Sequence, residues 1–303
     1  MKIIGLDCKS TGIRGVVCDQ NGNILNAVRM ATDVKSGVLQ YIGKIQSLLN
    51  TLAQSYNHID GVGVATAGYV DTKNRLVLSA TDFMPGYAGT DLNAVVRTVL
   101  KTKVCAENVT RAALIGERWI GSAKKYNNAV MLTLDINVGE NTVFDGCIYK
   151  SKNRFSGEWR AVEPMMGDDE NFYQYISDKT MSEQMEIALR SEKSITEFLQ
   201  ICCDKNPHLY EMMQKFSHQL VSEIGNIQLS DQPEAVIIGG DFAEWYDIFQ
   251  PIIAVEMEKA QITLPIKKAE LGANAGCVGA VKLYLNHVTD SYKSNRLECY
   301  KQR

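Results

Sequence analysis

The chain has 303 residues, with 32 Lys and Arg against 35 Asp and Glu, a formal net charge of −3 and a pI near 5.9. That balance argues against a nucleic-acid backbone or an anionic membrane surface as partner. A hydrophobic share of 45% allows a sizeable core, no apolar run reaches the roughly 18 residues of a membrane span, and MKIIGLDCK lacks the basic start and apolar stretch of a secretory signal, so a cytoplasmic protein is expected.

KIIGLD (2–7) reads as a short apolar strand, CKSTG (8–12) as a turn and IRGVVCD (13–19) as a second strand. Asn21-Gly22 signals a hairpin, and ILNAVRMA (24–31) returns as a third strand. SGVLQYIGKIQSLLNTLAQ (36–54) sets Val38, Ile42, Ile45, Leu48, Leu49 and Leu52 at helical spacing. TKVCAE (102–107) reads as a strand that passes through a turn into a helix opened by small apolar residues. The pattern then recurs: AVMLTLD (129–135) is a strand, INVGEN a turn and TVF a strand. Asp145-Gly146 is a second hairpin signal and CIYK a further strand. Helical segments are expected near 168–177, 182–190 and 194–203. A long helix near 207–229 is marked by Leu209, Met212, Met213, Phe216, Leu220, Ile224 and Ile227. EAVIIGG (234–240) reads as a buried strand ending in two glycines, with helices near 243–260 and 274–288 to follow. These elements predict an N-terminal lobe, 1–120, joined by the C-terminal helix, a C-terminal lobe, 121–274, and a polar tail at 291–303.

The eight cysteines form no C-x2-C pair, and none of the four histidines stands beside one at ligand spacing. Neither a zinc site nor disulfides are expected, and the thiols read as core packing.

In both halves an aspartate follows an apolar strand and opens a polar turn, LD-CKSTG and LD-INVGEN. Tight turns between strands point backbone N–H groups at one spot, which suits a phosphate. A glycine pair at a strand end, as in IIGG, lets a ligand approach the backbone. Each signal alone is as well explained by an ordinary polar turn or strand end; their order and spacing favour a polyphosphate grip.

GVGVATAGYVD (61–71), FMPGYAGTDL (83–92), ENVTRAALIGERWIGSA (107–123), SGEWR (156–160) and PEAVIIGG (233–240), in this order, resemble the ROK family of sugar kinases and sugar-responsive repressors. The PGY and GEW forms are most similar to its β-glucoside kinase branch. The resemblance implies an α/β, actin/hexokinase-like (ribonuclease H-like) duplicated two-lobed fold, with a sugar and Mg-ATP as ligands. It implies nucleotide contacts at Asp7, Ser10, Thr11, Gly139, Gly239 and Gly240, and sugar contacts at Asn108 and Glu158. For Asn108 a helix N-cap is the competing reading, and for Glu158 an exposed acid at a strand end.

The departures from the family pattern matter more. The first phosphate turn, D-x-G-G-T-K in the family, is Asp7-Cys8-Lys9-Ser10-Thr11-Gly12 here, with both glycines replaced. Lys9 reads as a turn lysine or a partial substitute for phosphate binding. The second, G-T-G-I-G-G-G, is Asp135-Ile136-Asn137-Val138-Gly139-Glu140-Asn141, with one glycine kept and two carboxylates added. A carboxylate and a phosphate charge about 4 Å apart repel by roughly 4 kcal/mol at an effective dielectric near 20. The family's catalytic aspartate falls on Val109. Phe83 replaces an asparagine before PGY, Ala161 a histidine or tyrosine, and the zinc loop of many members is missing.

Three readings follow. The first is a catalytically inactive homologue that binds a sugar, a sugar phosphate or a protein partner, with a homodimer among the assemblies the family allows. The second is a weak or unusual ATP-dependent hexose or β-glucoside kinase using Asp135 or Glu163 as its acid. A DNA-binding repressor is the least favoured, because family repressors carry a helix-turn-helix ahead of the first strand and this chain is acidic.

Overall fold

A computed structural model of the protein describes residues 1–10, 12–32, 37–80, 84–135, 138–149, 200, 204 and 207–292. Among them, those within Met1–Lys125, Cys147–Gly157 and Ala269–Arg303 form one compact unit, and those within Tyr126–Gly146 and Glu158–Lys268 a second.

In the first unit, β1 (Ile3–Lys9), β2 (Gly12–Cys18) and β3 (Ile24–Ala31) run antiparallel to one another. β4 (Gly61–Thr66) and β7 (Lys103–Asn108) add in parallel beyond β1, giving the order β3-β2-β1-β4-β7. A separate hairpin, β5 (Tyr69–Asp71) with β6 (Leu76–Ser79), follows β4. β1 and β4 are buried on both faces, which is why they read as unbroken apolar runs. The second sheet holds β8 (Ala129–Leu134), β9 (Val138–Phe144), β10 (Cys147–Ile148), β11 (Ala235–Gly239) and β12 (Ile266–Lys268) in the order β10-β9-β8-β11-β12. The two orders are the same arrangement used twice, the duplicated plan of an actin/hexokinase-like fold.

Helix α1 (Val38–Ala53) buries Tyr41, Ile45, Leu48, Leu49 and Leu52 against one face of the first sheet. The short α2 (Leu92–Arg97) is capped by Asp91, whose side chain accepts from Ala94 N. On the opposite face lie α3 (Val109–Ile120) and α6 (Ala275–Tyr292), and glycines set how closely they approach. A Cβ at Gly5 of β1 would run into the carbonyl oxygen of Cys277, one at Gly63 of β4 into that of Ala280, and one at Gly279 of α6 into that of Ala112. At Gly116 of α3 it would lie 2.6 Å from the oxygen of Ala275.

In the second unit, α4 (Pro207–Ser230) begins with proline at its first position, where the missing N–H costs nothing. With α5 (Tyr246–Lys259) it covers the sheet around Phe216, Phe242 and Phe249, whose ring centroids lie 4.5 to 5.0 Å apart.

Asp145 and Gly146 have φ of 50° and 74°, the mirror-image turn that a two-residue hairpin favours. At Asn21-Gly22 only the glycine has positive φ, 89°. There Asp19 organises a longer loop, accepting from Asn21 N at 2.8 Å, Asn23 N at 2.9 Å and Asn23 Nδ2 at 2.8 Å. The helices expected near 168–177 and 182–190, and most of that near 194–203, lie outside the described residues. Cys8, Cys18, Cys105 and Cys277 are buried free thiols; burial pushes Cys18 up to about 12 and Cys105 to about 11, so they pack as small apolar groups. Among the described residues no helix is long and apolar enough to cross a membrane.

The close approach of α6 gives a paired prediction. Gly279→Ala forces a methyl into the Ala112 carbonyl and lowers unfolding free energy by about 3 kcal/mol. Gly43→Ala, in α1 with nothing within 4 Å of its Cβ position, raises it by about 0.5–1 kcal/mol. Urea denaturation of both variants checks the pair.

Candidate active site

β1, β4 and β7 end side by side, with Cys8 opposite Thr66 and Thr66 opposite Asn108. The region beyond the carboxyl ends of parallel strands is where open α/β sheets place ligands. No turn separates β7 from α3, contrary to the sequence expectation: Asn108 is at once the last strand residue and the helix N-cap. Its Oδ1 accepts from Thr110 N at 2.9 Å, Thr110 Oγ1 at 2.7 Å and Arg111 N at 3.3 Å, so the cap replaces the turn. Its Nδ2 donates to Gly68 O at 2.9 Å, tying the TAG segment after β4 to the start of α3. Gly68 takes φ of 87°, and a Cβ there would strike the Ser79 carbonyl. Beneath the cap, Glu107 Oε1 accepts from Asn108 N at 2.9 Å and stands 3.5 Å from Arg111 Nη1, both side chains buried.

Val109 opens α3 and is 7% exposed, packed with Ala65, Ala112 and Ala280. A Cβ at Gly276, in the first turn of α6, would touch Val109 Cγ2 at 3.4 Å and collide with Asp7 Oδ2. Asp7 and Val109 therefore meet at one point, the start of α6, where the helix dipole favours a single negative charge.

The first turn is tighter than CKSTG suggested. β1 extends to Lys9, which pairs with Gly12, leaving two residues, Ser10 and Thr11, between the strands. Cys8 is a fully buried strand residue whose thiol burial pushes up. The carbonyls of this segment are held from below. Cys8 O accepts from Ala67 N at 3.0 Å, Lys9 O from Tyr41 Oη at 3.1 Å and Ser10 O from Thr32 Oγ1 at 2.8 Å. Thr66 Oγ1 and Tyr87 Oη share a 2.8 Å hydrogen bond, and Tyr87 meets Tyr41 edge-on at 5.3 Å. Thr11 and Glu158 lie outside the described residues.

In the second unit the β8–β9 turn is also shorter than expected, from Asp135 to residue 137, with Leu134 paired to Val138. Gly139 and Glu140 are strand residues opposite Thr133 and Leu132, not turn residues, because pairing runs on through Val138. Gly239 ends β11, also opposite Thr133. Gly240 takes φ of 83°, and its Cβ position is filled by Leu134, whose oxygen is 2.5 Å away. Asp135 Oδ1 accepts from Asp241 N at 2.6 Å, so the first N–H after the glycine pair is held by the protein's own carboxylate. Among the described residues no group of three or more His, Cys, Asp or Glu side chains could hold a metal ion.

A model of the ROK family matches residues 3–287. The chain belongs to the ROK family. It is 20% identical to a xylose repressor of Bacillus spizizenii over 96% of this chain and 78% of the repressor. It is 22% identical to an N-acetyl-D-glucosamine kinase of Haemophilus influenzae over 93% of this chain and 98% of the kinase. A ROK family glucokinase from Streptomyces griseus, solved with glucose and AMPPNP, superposes with a TM-score of 0.76 at 19% identity, covering 93% of this chain and 99% of that one.

In this ROK protein the family blocks also carry structural work that the sequence reading did not anticipate. Thr66 of TAG and Tyr87 of PGY support the first turn, and Glu117 of the GE-x-W-x-G block is fully buried. Their place inside the recognised blocks was the available signal; their partners, distant in sequence, were not readable. The junction itself yields a stability prediction. Asn108→Ala removes both the cap and the tie to Gly68 and costs about 2–3 kcal/mol. Asn108→Ser keeps a cap acceptor, loses only the tie, and costs about 1 kcal/mol. Chemical denaturation of the two variants measures the difference.

Proposed function

We propose that this ROK sugar-kinase homologue does not transfer phosphate and instead binds a sugar or a sugar derivative. The observation that carries this reading is Val109: the position where the family resemblance puts the catalytic acid holds a branched alkyl group, packed among alanines and facing Asp7 across Gly276. Residue 109 itself offers no carboxylate to take a proton from an attacking hydroxyl, a contribution typically worth about 10² to 10⁴ in rate.

The nucleotide side supports the same reading. Mg-ATP is the group the family implies, and the residues present do not fit it. The first turn holds no glycine between the paired residues Lys9 and Gly12, and its carbonyls are tied by Tyr41 and Thr32. In the second unit Asp135 already occupies the Asp241 N–H, so a phosphate would meet a carboxylate in place of a donor. The same hydrogen bond argues against Asp135 as a substitute acid.

A sugar remains the best-supported ligand. The named relatives include an N-acetyl-D-glucosamine kinase and a xylose repressor, each named for a sugar, a different one in each case. Asn108 directs one Nδ2 proton to Gly68 and keeps the other for a hydroxyl acceptor at the strand ends.

Calorimetry tests the nucleotide half. The wild type is expected to bind Mg·ATP more weakly than about 10 μM, roughly −7 kcal/mol, and Asp135→Gly to bind it more tightly than the wild type. A wild-type affinity tighter than that limit contradicts the reading. A thermal-shift series with hexoses, pentoses and their phosphates tests the sugar half: at least one raises Tm, and a flat series up to saturating sugar removes the binding claim.

A further inference from the structure

Glu117 lies in the last turn of α3 and is fully buried. Its Oε2 accepts from Ser122 N at 2.7 Å, Ser122 Oγ at 2.9 Å and Glu270 N at 3.2 Å, while Oε1 accepts from Leu271 N at 2.8 Å. All four donors are neutral, and three are backbone N–H groups. Gly121 is glycine because a Cβ there would collide with Oε2 where the carboxylate folds back onto its own chain.

The location of these donors is informative. Of the four points where the chain passes from one unit to the other, one lies between Lys125 and Tyr126 and another between Lys268 and Ala269. Ser122 stands just before the first of these crossings, and Glu270 and Leu271 just after the second. Arg118, next to Glu117, also donates to the carbonyls of Ala123 and Lys124. One carboxylate therefore gathers two stretches of chain more than a hundred residues apart in sequence.

We propose that Glu117 is a shared anchor, a single charged acceptor that fixes these two crossings to α3 so that they hold and loosen together. A carboxylate suits the role because it is acceptor-only; glutamine would turn an NH2 toward donors. Bonds to a charged acceptor are also stronger than neutral ones. α3 gives the anchor its reach: the same helix carries Asn108 and Val109 at its start and Glu117 at its end. The inference is independent of whether this protein transfers phosphate.

Each of these two crossings carries a lysine pair, Lys124-Lys125 and Lys267-Lys268, with Lys124, Lys125 and Lys267 exposed. Limited trypsin digestion of the full chain, read by mass spectrometry, reports on both at once. Lys73, exposed in the β5–β6 turn, serves as the reference site. Glu117→Gln is expected to speed cleavage at both pairs together by about tenfold or more relative to Lys73. Ser122→Ala removes one donor and leaves the carboxylate, a milder change that keeps the test open if Glu117→Gln fails to fold; it is expected to speed both pairs by a few-fold in parallel. Faster cleavage at one pair alone, an equal rise at Lys73, or no change in either variant overturns the shared anchor.

Discussion

The arrangement of the first unit rests on a steric constraint: α6 lies backbone against backbone on β1, β4 and α3. Gly5, Gly63, Gly116 and Gly279 remove the side chains that would hold these elements apart. At that separation the first turn of α6 reaches Asp7, and Val109 comes to the same point from α3. The candidate site is a consequence of this packing. A larger residue at any of the four glycines would displace the helix that brings the two positions together before it touched a ligand.

Much of the fold was legible because local signals agreed with the tertiary structure. The repeated aspartate-ended strands marked two copies of one sheet order, and the periodic apolar positions marked α1 and α4. Asp145-Gly146 did what its residue types require, whereas Asn21-Gly22 was absorbed into a loop governed by Asp19, an Asx-type competitor two residues earlier. The lengths of the two polar turns were misread because strand pairing continues into residues that read as polar turn, to Lys9 and Gly12 in one and through Val138 and Gly139 in the other. Asn108 could be read either as a cap or as a ligand contact; the cap is present, and its amide also donates to Gly68. Asp135 read as a carboxylate added to the phosphate turn or a substitute acid; its partner, the N–H of Asp241, lies more than a hundred residues later in the chain. Contacts of that separation leave no mark on periodicity or spacing.

The two halves have moved from the family pattern in different ways. In the first unit Thr66, Tyr87, Tyr41 and Thr32 hold a turn whose two family glycines are replaced, and position 109 carries a valine where the resemblance expects an acid. In the second the turn has become self-sufficient: Asp135 satisfies a backbone donor internally, which stabilises the unit in the absence of a bound anion. Side chains that satisfy the backbone from within also remove the reason for an exogenous phosphate to bind. On the proposed reading both changes lead away from phosphoryl transfer while leaving the ends of β1, β4 and β7 folded side by side. Retention of fold is separate from retention of reaction, and the side chains at the site decide the second.

The central claim is that several parts of the reaction have gone together, so that restoring one restores nothing. A coupled ADP-release assay on the wild type and Val109→Asp, across hexoses, N-acetylhexosamines and β-glucosides, tests it most directly. The new carboxylate would sit in an alanine-lined pocket facing Asp7, at a cost of about 1–3 kcal/mol in stability. The account predicts no sugar-dependent ADP release from either protein, because a base without aligned phosphate has no transition state to serve. Sugar-dependent turnover by the wild type, or a gain by Val109→Asp approaching the roughly 10² to 10⁴ typical of a general base, would contradict it.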